Sequence, residues 1–161
     1  MSVGRFLCGI AALIYHPATA TYLLLKRAAE RDAGGGEWEC VTGRVDQGEG
    51  FEDALHREVR EELAVAVRPD FIVGTSHFYR GAPIPENELL GVTYACTLDT
   101  PDAIRVSAEH SEHRWLTAAE AFDLLPPDHW LHRTIRRAEL TRTALPATLL
   151  ATHRHAGFEH G

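Results

Sequence analysis

Residues 51–63 most constrain what this chain can fold into. Phe51, Leu55, Val59 and Leu63 recur at intervals of four, so a helix presents them on one side and must bury that side against a sheet. Glu58, Glu61 and Glu62 stand at i, i+3 and i+4, so the same helix carries three carboxylates within an arc of roughly 100°. Anions held that close repel one another and destabilise an isolated helix. Something cationic should offset them. Oxygen donors without Cys or His point to a hard divalent ion, Mg²⁺ or Mn²⁺. For such a run taken alone, the ordinary alternative is a solvated acidic face.

The flanks of the helix change that balance. Gly43 is followed after five residues by Glu49, and after seven more by Arg57-Glu58-Val59-Arg60-Glu61-Glu62. This spacing resembles the Nudix box, G-x5-E-x7-R-E-U-x-E-E-x-G-U with U a bulky apolar residue. Eight of its nine specified positions are matched, and the departure is Ala64 where the family has Gly. The family glycine sits where the helix ends, at a left-handed cap position. Ala in that conformation costs about 1 kcal/mol unless the cap is reshaped.

The rest of the chain fits one globular domain. It has 161 residues, 45% of them hydrophobic and 24% charged, enough to bury a core. The net charge of −7 repels nucleic acid and other polyanions, so an anionic substrate needs local cations, a metal plus a few Arg. Cys8, Cys40 and Cys96 form neither a disulfide framework nor a zinc pattern, which suits a reducing cytosol and a cytoplasmic protein. No apolar run reaches membrane-spanning length. The apolar stretch Phe6 to Tyr15 reads as a strand rather than a signal peptide.

Strands are expected over Arg5 to Tyr15, Tyr22 to Lys26, Glu37 to Val41, Phe71 to Tyr79, Leu89 to Leu98 and His113 to Leu116. A loop is expected over 28–36, and Gly81 to Asn87 is a Pro-rich loop. Thr117 with Glu120 makes a capping box for a helix through Leu125. Pro126-Pro127 ends it, and a last helix starts near Asp128 and runs to about Thr141. Strands on both sides of the central helix and a terminal helix suggest an α/β fold with a mixed sheet covered on both faces. The resemblance implies the same, the α/β/α sandwich of the Nudix family. The domain is read as residues 1–145, with 146–161 a weakly patterned, partly mobile tail.

The resemblance also implies roles. Glu58, Glu61 and Glu62 are the expected metal ligands and catalytic carboxylates, joined by the carbonyl of Gly43, where a glycine lets the backbone approach the ion. Glu49 and Arg57 are expected to pair and hold the loop to the helix. A further Glu, ligand or general base, comes from a later loop in this family. Glu109 and Glu112 are both candidates, and Glu109 is preferred because E-H-x-x-aromatic-basic-W-L from Glu109 is similar to bacterial dihydroneopterin triphosphate pyrophosphatases. Trp38-Glu39-Cys40-Val41-Thr42-Gly43 resembles the same subgroup and makes Trp38 a substrate-binding candidate. Arg27, Arg44 and Arg80 are candidates for phosphate contact, with Arg27 preferred. Tyr79 and Phe78 are candidates to stack on a base or pterin. Glu39, Glu52 and Asp53 read as solvated.

The implied activity is Mg²⁺- or Mn²⁺-dependent hydrolysis of a diphosphate linkage in a phosphorylated small molecule. Nucleoside triphosphates, dihydroneopterin triphosphate, dinucleoside polyphosphates and nucleotide sugars all remain open as substrates. The alternative is a Nudix-fold module that binds a nucleotide without catalysis; such modules usually lose box carboxylates, and none is missing here. An isomerase of the isopentenyl diphosphate type needs a catalytic Cys setting that Cys40 lacks. A membrane partner is not expected, nucleic acid is disfavoured by the charge, and a homodimer is open because relatives are often dimers.

Overall fold

The computed structural model of the protein describes residues 4–30 and 34–160. Part of the loop expected over 28–36 therefore lies outside the described residues. A seven-stranded sheet is built from β1 (Leu7–His16), β2 (Thr21–Arg27), β3 (Trp38–Glu39), β4 (Val41–Arg44), β5 (Arg68–Tyr79), β6 (Glu88–Thr97) and β7 (His110–Leu116). Helix α1 (Phe51–Leu63) follows β4, and α2 (Ala118–Leu124), α3 (Trp130–Ala144) and α4 (Ala147–Ala156) follow β7. The main path is β3-β2-β1-β6-β5, with β4 also on β1 and β7 also on β2. β1 and β6 are parallel, and the other pairs are antiparallel.

β1 sits at the centre because nearly its whole length is apolar, as a strand covered on both faces requires. Its alternation feeds two cores. Ile10, Ala12 and Ile14 pack with Leu55, Val59 and Leu63 of α1. Ala11 and Leu13 pack with Tyr22, Phe71, Leu131 and Ile135 on the α2–α3 side. The fold is thus an α/β/α sandwich with a mixed sheet, as the sequence suggests.

Several boundaries move, for physical reasons. The strand expected over Glu37 to Val41 is two strands. β1 and β2 pair with each other only at Tyr15 and His16 against Tyr22 and Thr21, and then diverge. The chain fills that wedge, pairing Glu39 with Leu25 of β2 and, past Cys40, Val41 with Ala12 of β1. β7 starts at His110 rather than His113, because pairing with β2 continues across a bulge to Arg27. The capping box at Thr117 and Glu120 is present, and α3 starts at Trp130 with the His129 ring capping it.

The segment after Pro146, weakly patterned in sequence, forms α4. No residue of α4 is buried, so no apolar stripe announces it. Leu150 packs on the α2–α3 core, and polar contacts add to it: Arg154 Nε donates to Asp70 Oδ1 at 2.8 Å, and the His153 ring lies 3.2 Å from the Asp70 carbonyl. Residues 157–160 then return to α1, where Phe158 packs on Tyr94 and His153. Among the described residues no helix is long and apolar enough to cross a membrane.

Both ends of α1 are held by distant chain. Ala64 keeps the left-handed cap at φ 57°, ψ 26°, so the family geometry survives the loss of its glycine. The carbonyls of Glu62 and Leu63 accept from Ser107 N at 2.8 Å and Arg105 N at 2.9 Å, which pins the loop before β7 to the helix. At the other end Gly50 offers no side-chain cap. Glu159 takes that place, accepting from Phe51 N at 2.9 Å and Glu52 N at 3.0 Å. Glu52, expected to be solvated, answers by accepting from Phe158 N and Glu159 N, whereas Asp53 is exposed.

Candidate active site

The site grows from the acidic side of α1. Arg57 organises it. Its Nε and Nη2 donate to the two oxygens of Glu49 at 2.8 and 2.9 Å, and Nη2 also reaches the Arg44 carbonyl at 2.8 Å. The helix is thereby tied to the loop that precedes it. Arg57, aided by the Asp46 amide, holds the Glu49 carboxyl down at about 2. Arg57 Nη1 also donates to Glu58 at 2.8 Å and to Glu61 at 3.3 Å, so one guanidinium shields three of the carboxylates from one another.

Glu58 and Gly43 are in direct apposition. A Cβ at residue 43 would lie 2.0 Å from Glu58 Cδ, so only glycine leaves room for that carboxylate against the backbone. Burial raises the Glu58 carboxyl, opposed by Arg57. Glu61 is largely exposed, its side chain at 60%. Glu62 is its opposite, with a side chain 6% exposed and an Oε2 that has no hydrogen-bond partner among the described residues. Burial first, then the charges of Glu39, Glu58 and Glu109, push its carboxyl up to about 9. A buried carboxylate oxygen without a donor is costly unless something cationic meets it.

The wall behind Glu62 departs from the sequence expectation. Glu39, expected to be solvated, is buried at 9% exposure and accepts from Arg27 Nη1 at 2.9 and 3.1 Å, with Thr42 Oγ1 at 3.3 Å. The buried His110 ring lies between two acids: Nε2 is 2.9 Å from Glu39 Oε1, while Nδ1, which has no hydrogen-bond partner among the described residues, stands 3.9 Å from Glu62 Oε2. Period-two reading of the strand carries the signal, since Glu39 shares a face with Val41, which packs under α1. Arg27, the preferred candidate for phosphate contact, pairs through Nη1 with Glu39 at the rim of this wall.

The two later glutamates separate. Glu109 precedes β7 at the mouth of the site, where its charge acts on Glu62 and its carbonyl accepts from Ala28 N. Glu112 lies 2.6 Å from Arg114 Nε and 4.0 Å from Lys26 Nζ, beside Trp38. The structure does not bring Trp38 to the carboxylates. Its ring packs with the α2–α3 core under Arg114 and Lys26, while its neighbour Glu39 points to the α1 side. Tyr79 is not brought in either. It sits near the end of β5, at the opposite end of the strand order from β3, against His77. Arg44, the last residue of β4, is exposed, and its carbonyl accepts from Arg57.

The carboxylates along this side of α1, one with an oxygen that has no hydrogen-bond partner among the described residues, are donors of the kind a hard divalent cation takes. Among the described residues no three His, Cys, Asp or Glu side chains are already gathered to hold a metal ion. Arg57 Nη1 stands on Glu58 and Glu61, so closing such a site requires those carboxylates to be shared with or released from it.

Comparison with known proteins agrees with this fold. Residues 7–138 match the NUDIX domain. A curated octanoyltransferase of Myxococcus xanthus is 30% identical over 119 residues, 74% of this chain but 32% of that protein. The nucleoside triphosphatase NudI of Escherichia fergusonii is 52% identical over 42 residues, 26% of this chain and 30% of that protein. The chain thus spans about a third of the length of the curated relatives it matches. Among solved structures, the MutT protein of Methanosarcina mazei superposes with a TM-score of 0.69 at 21% identity, covering 88% of this chain and 99% of that one. The dihydroneopterin triphosphate pyrophosphohydrolase of E. coli gives 0.64 at 22% identity, covering 89% and 100%. At such identities these two likenesses speak for the fold alone.

Proposed function

The chain belongs to the NUDIX domain family, and on that premise we propose that it is a divalent-metal-dependent hydrolase of phosphoanhydrides. The observation that carries this is the unpartnered, buried oxygen of Glu62, set among Glu39, Glu58 and Glu109. An arrangement of that cost is retained where a cation is to be held. Glu58, Glu61 and Glu62 with the Gly43 carbonyl would hold Mg²⁺ or Mn²⁺, and Glu109, whose charge acts on Glu62, would complete the set or act as base. The bound ion supplies charge neutralisation at the phosphate oxygens and a lowered pKa for attacking water. The chain itself does the rest. Arg57 fixes the helix against the loop, Gly43 admits the Glu58 carboxylate, and the Glu39–His110 wall backs Glu62. A carboxylate at the mouth, Glu109 in this reading, takes the proton of the attacking water. The Arg27 guanidinium, oriented by Glu39, and the exposed Arg44 would meet substrate phosphates.

The substrate is read as a nucleoside triphosphate or a similar diphosphate-linked molecule, dihydroneopterin triphosphate and dinucleoside polyphosphates included. The NudI likeness favours the nucleoside triphosphate. The octanoyltransferase name is not carried over, because the likeness is confined to a third of that protein. All of Cys8, Cys40 and Cys96 are free, in keeping with a cytoplasmic setting, and a homodimer remains part of the proposal. Purified protein with Mg²⁺ is assayed on a panel of these compounds for phosphate and pyrophosphate release. Turnover of at least one is expected, abolished by EDTA and restored by Mg²⁺ or Mn²⁺. Nucleotide binding without any turnover would establish instead the non-catalytic module, and full activity after rigorous chelation would sink the metal assignment.

A further inference from the structure

We propose that Glu159 is a positioning residue for the carboxylate helix, through a two-way clasp between residues 157–159 and the first turn of α1. A helix begins with amide groups that have no partner within it, and the residue before the first turn usually supplies a side-chain oxygen. Gly50 cannot. The Glu159 carboxylate fills the gap with both oxygens, one on Phe51 N and one on Glu52 N. Glu52 Oε2 returns the contact, accepting from Phe158 N at 2.8 Å and Glu159 N at 3.2 Å. Each carboxylate thus caps the other's backbone.

Two glycines make the clasp possible. A Cβ on Gly50 would come within 2.6 Å of Glu159 Oε2, and one on Gly157 within 2.8 Å of Glu52 Oε2. Gly157 also holds φ at 72°, where a side chain is strained. Phe158 anchors the strand of contacts, packing against the α1-side core with its ring 5.6 Å from Tyr94. The Tyr94 hydroxyl is raised by burial and by the charges of Glu52 and Glu159, which places it beside the same pair.

The clasp bears on the active site through the loop. Arg44, Asp46, Glu49, Gly50, Phe51 and Glu159 line one depression, and Glu49 is the residue that Arg57 grips. Fraying of the first turn would free Gly50 and with it the Glu49 end of that grip. Arg57 in turn orders Glu58 and Glu61. Glu159 therefore acts on metal binding through Gly50, Glu49 and Arg57 without touching the ion. This rests on the metal-site reading above.

The test compares wild type, Glu159→Ala, Glu159→Gln, Gly50→Ala and Gly50→Ala/Glu159→Ala. Amide exchange is followed in metal-free buffer, and Mn²⁺ affinity is measured by titration. Glu159→Ala should speed exchange at Phe51 and Glu52 about tenfold while leaving the β1 amides unchanged, the mark of a local opening. It should weaken Mn²⁺ binding about threefold, a share of what a lost helix cap is worth. Glu159→Gln, which keeps one acceptor, should fall between. Gly50→Ala alone should resemble Glu159→Ala, and the double variant should be no worse than either, because the added methyl then meets no carboxylate. Unchanged exchange at Phe51 and Glu52 would overturn the clasp. Faster exchange with unaltered Mn²⁺ affinity would overturn its positioning role. Wild-type protein that holds no Mn²⁺ would instead overturn the metal reading, and the positioning role with it, a result distinct from both.

Discussion

Glu62 and Glu49 lie on one face of the fold and answer pH with opposite signs. The Glu62 carboxyl is raised to about 9, above its ordinary value. Folding therefore favours its protonated form, and its contribution to stability is full below about 4.5 and lost as pH rises toward 9. Glu49 is lowered to about 2, so its contribution is present above about 4.5 and lost as pH falls toward 2. In chelated buffer, Glu62→Gln should flatten the alkaline fall of the melting temperature and Glu49→Gln the acid fall. Arg57→Ala should lower stability as well as turnover, since it strips the partner from Glu49 and the shield from Glu58. Glu58→Gln, Glu62→Gln and Glu109→Gln should each slow turnover by about 10²-fold or more, the scale of a lost catalytic group. Glu112→Gln, already paired with Arg114, should do little. Wild-type kcat in the Glu109 variant would move that role to Glu112; wild-type kcat in the Glu58 or Glu62 variants would overturn the hydrolase reading. The carboxylates of α1 were legible because a helical period fixes their common side. Glu39 carries a local signal in its period-two alternation with Val41; His110 carries none, because it joins β7 only across a bulge opposite Arg27, and no local pattern states that.

At the level of elements, α1 is the most readable part of the chain and its supports are the least. Apolar residues every four positions announce the helix, and Ala64 announces its end. Ala64 holds φ 57°, so Ala64→Gly should stabilise the protein by about 1 kcal/mol. Paired thermal melts check this, and a lower melting temperature for the glycine variant would show that the left-handed cap is not kept in solution. The supports come from Arg105, Ser107 and Glu159, through backbone amides on one partner or the other. A hydrogen bond to a backbone group leaves no mark in the identity of the residue that provides it. The splitting of the Glu37 to Val41 stretch into β3 and β4 was hidden for a related reason. It follows from the divergence of β1 from β2, a property of two strands already placed.

For the molecule as a whole, Asp70 is the joint between sheet and C-terminal helices. It is fully buried and pairs with Arg142 of α3 at 3.2 Å and Arg154 of α4 at 2.7 Å. Arg142 also lies 4.0 Å over the Tyr15 ring. Removing one member of a buried ion group strands the others, at a cost of about 3–5 kcal/mol. Asp70→Ala should lower the unfolding free energy by that amount, measured by denaturant titration, and should loosen α4 before the sheet. A change below about 1 kcal/mol would mean that solvent already reaches the pair. The order of the layers was readable from the succession of elements; α4 was not, because it is attached by one partly buried leucine and the Arg154–Asp70 pair rather than by an apolar stripe.

The parallel pairing of β1 with β6 has a consequence for the order in which the chain becomes protein. β1 is the most apolar strand, yet its partner on one side begins only at Glu88. During synthesis, therefore, a hydrophobic strand waits with an open edge while the intervening residues emerge. Pairings that span so much chain form late, and an apolar edge left bare is a template for association with other chains. A nascent or clipped chain that stops before Glu88 would meet its neighbours with that edge uncovered, making chaperone dependence and insolubility properties of the unfinished polypeptide, while the finished fold keeps the strand sealed at its centre.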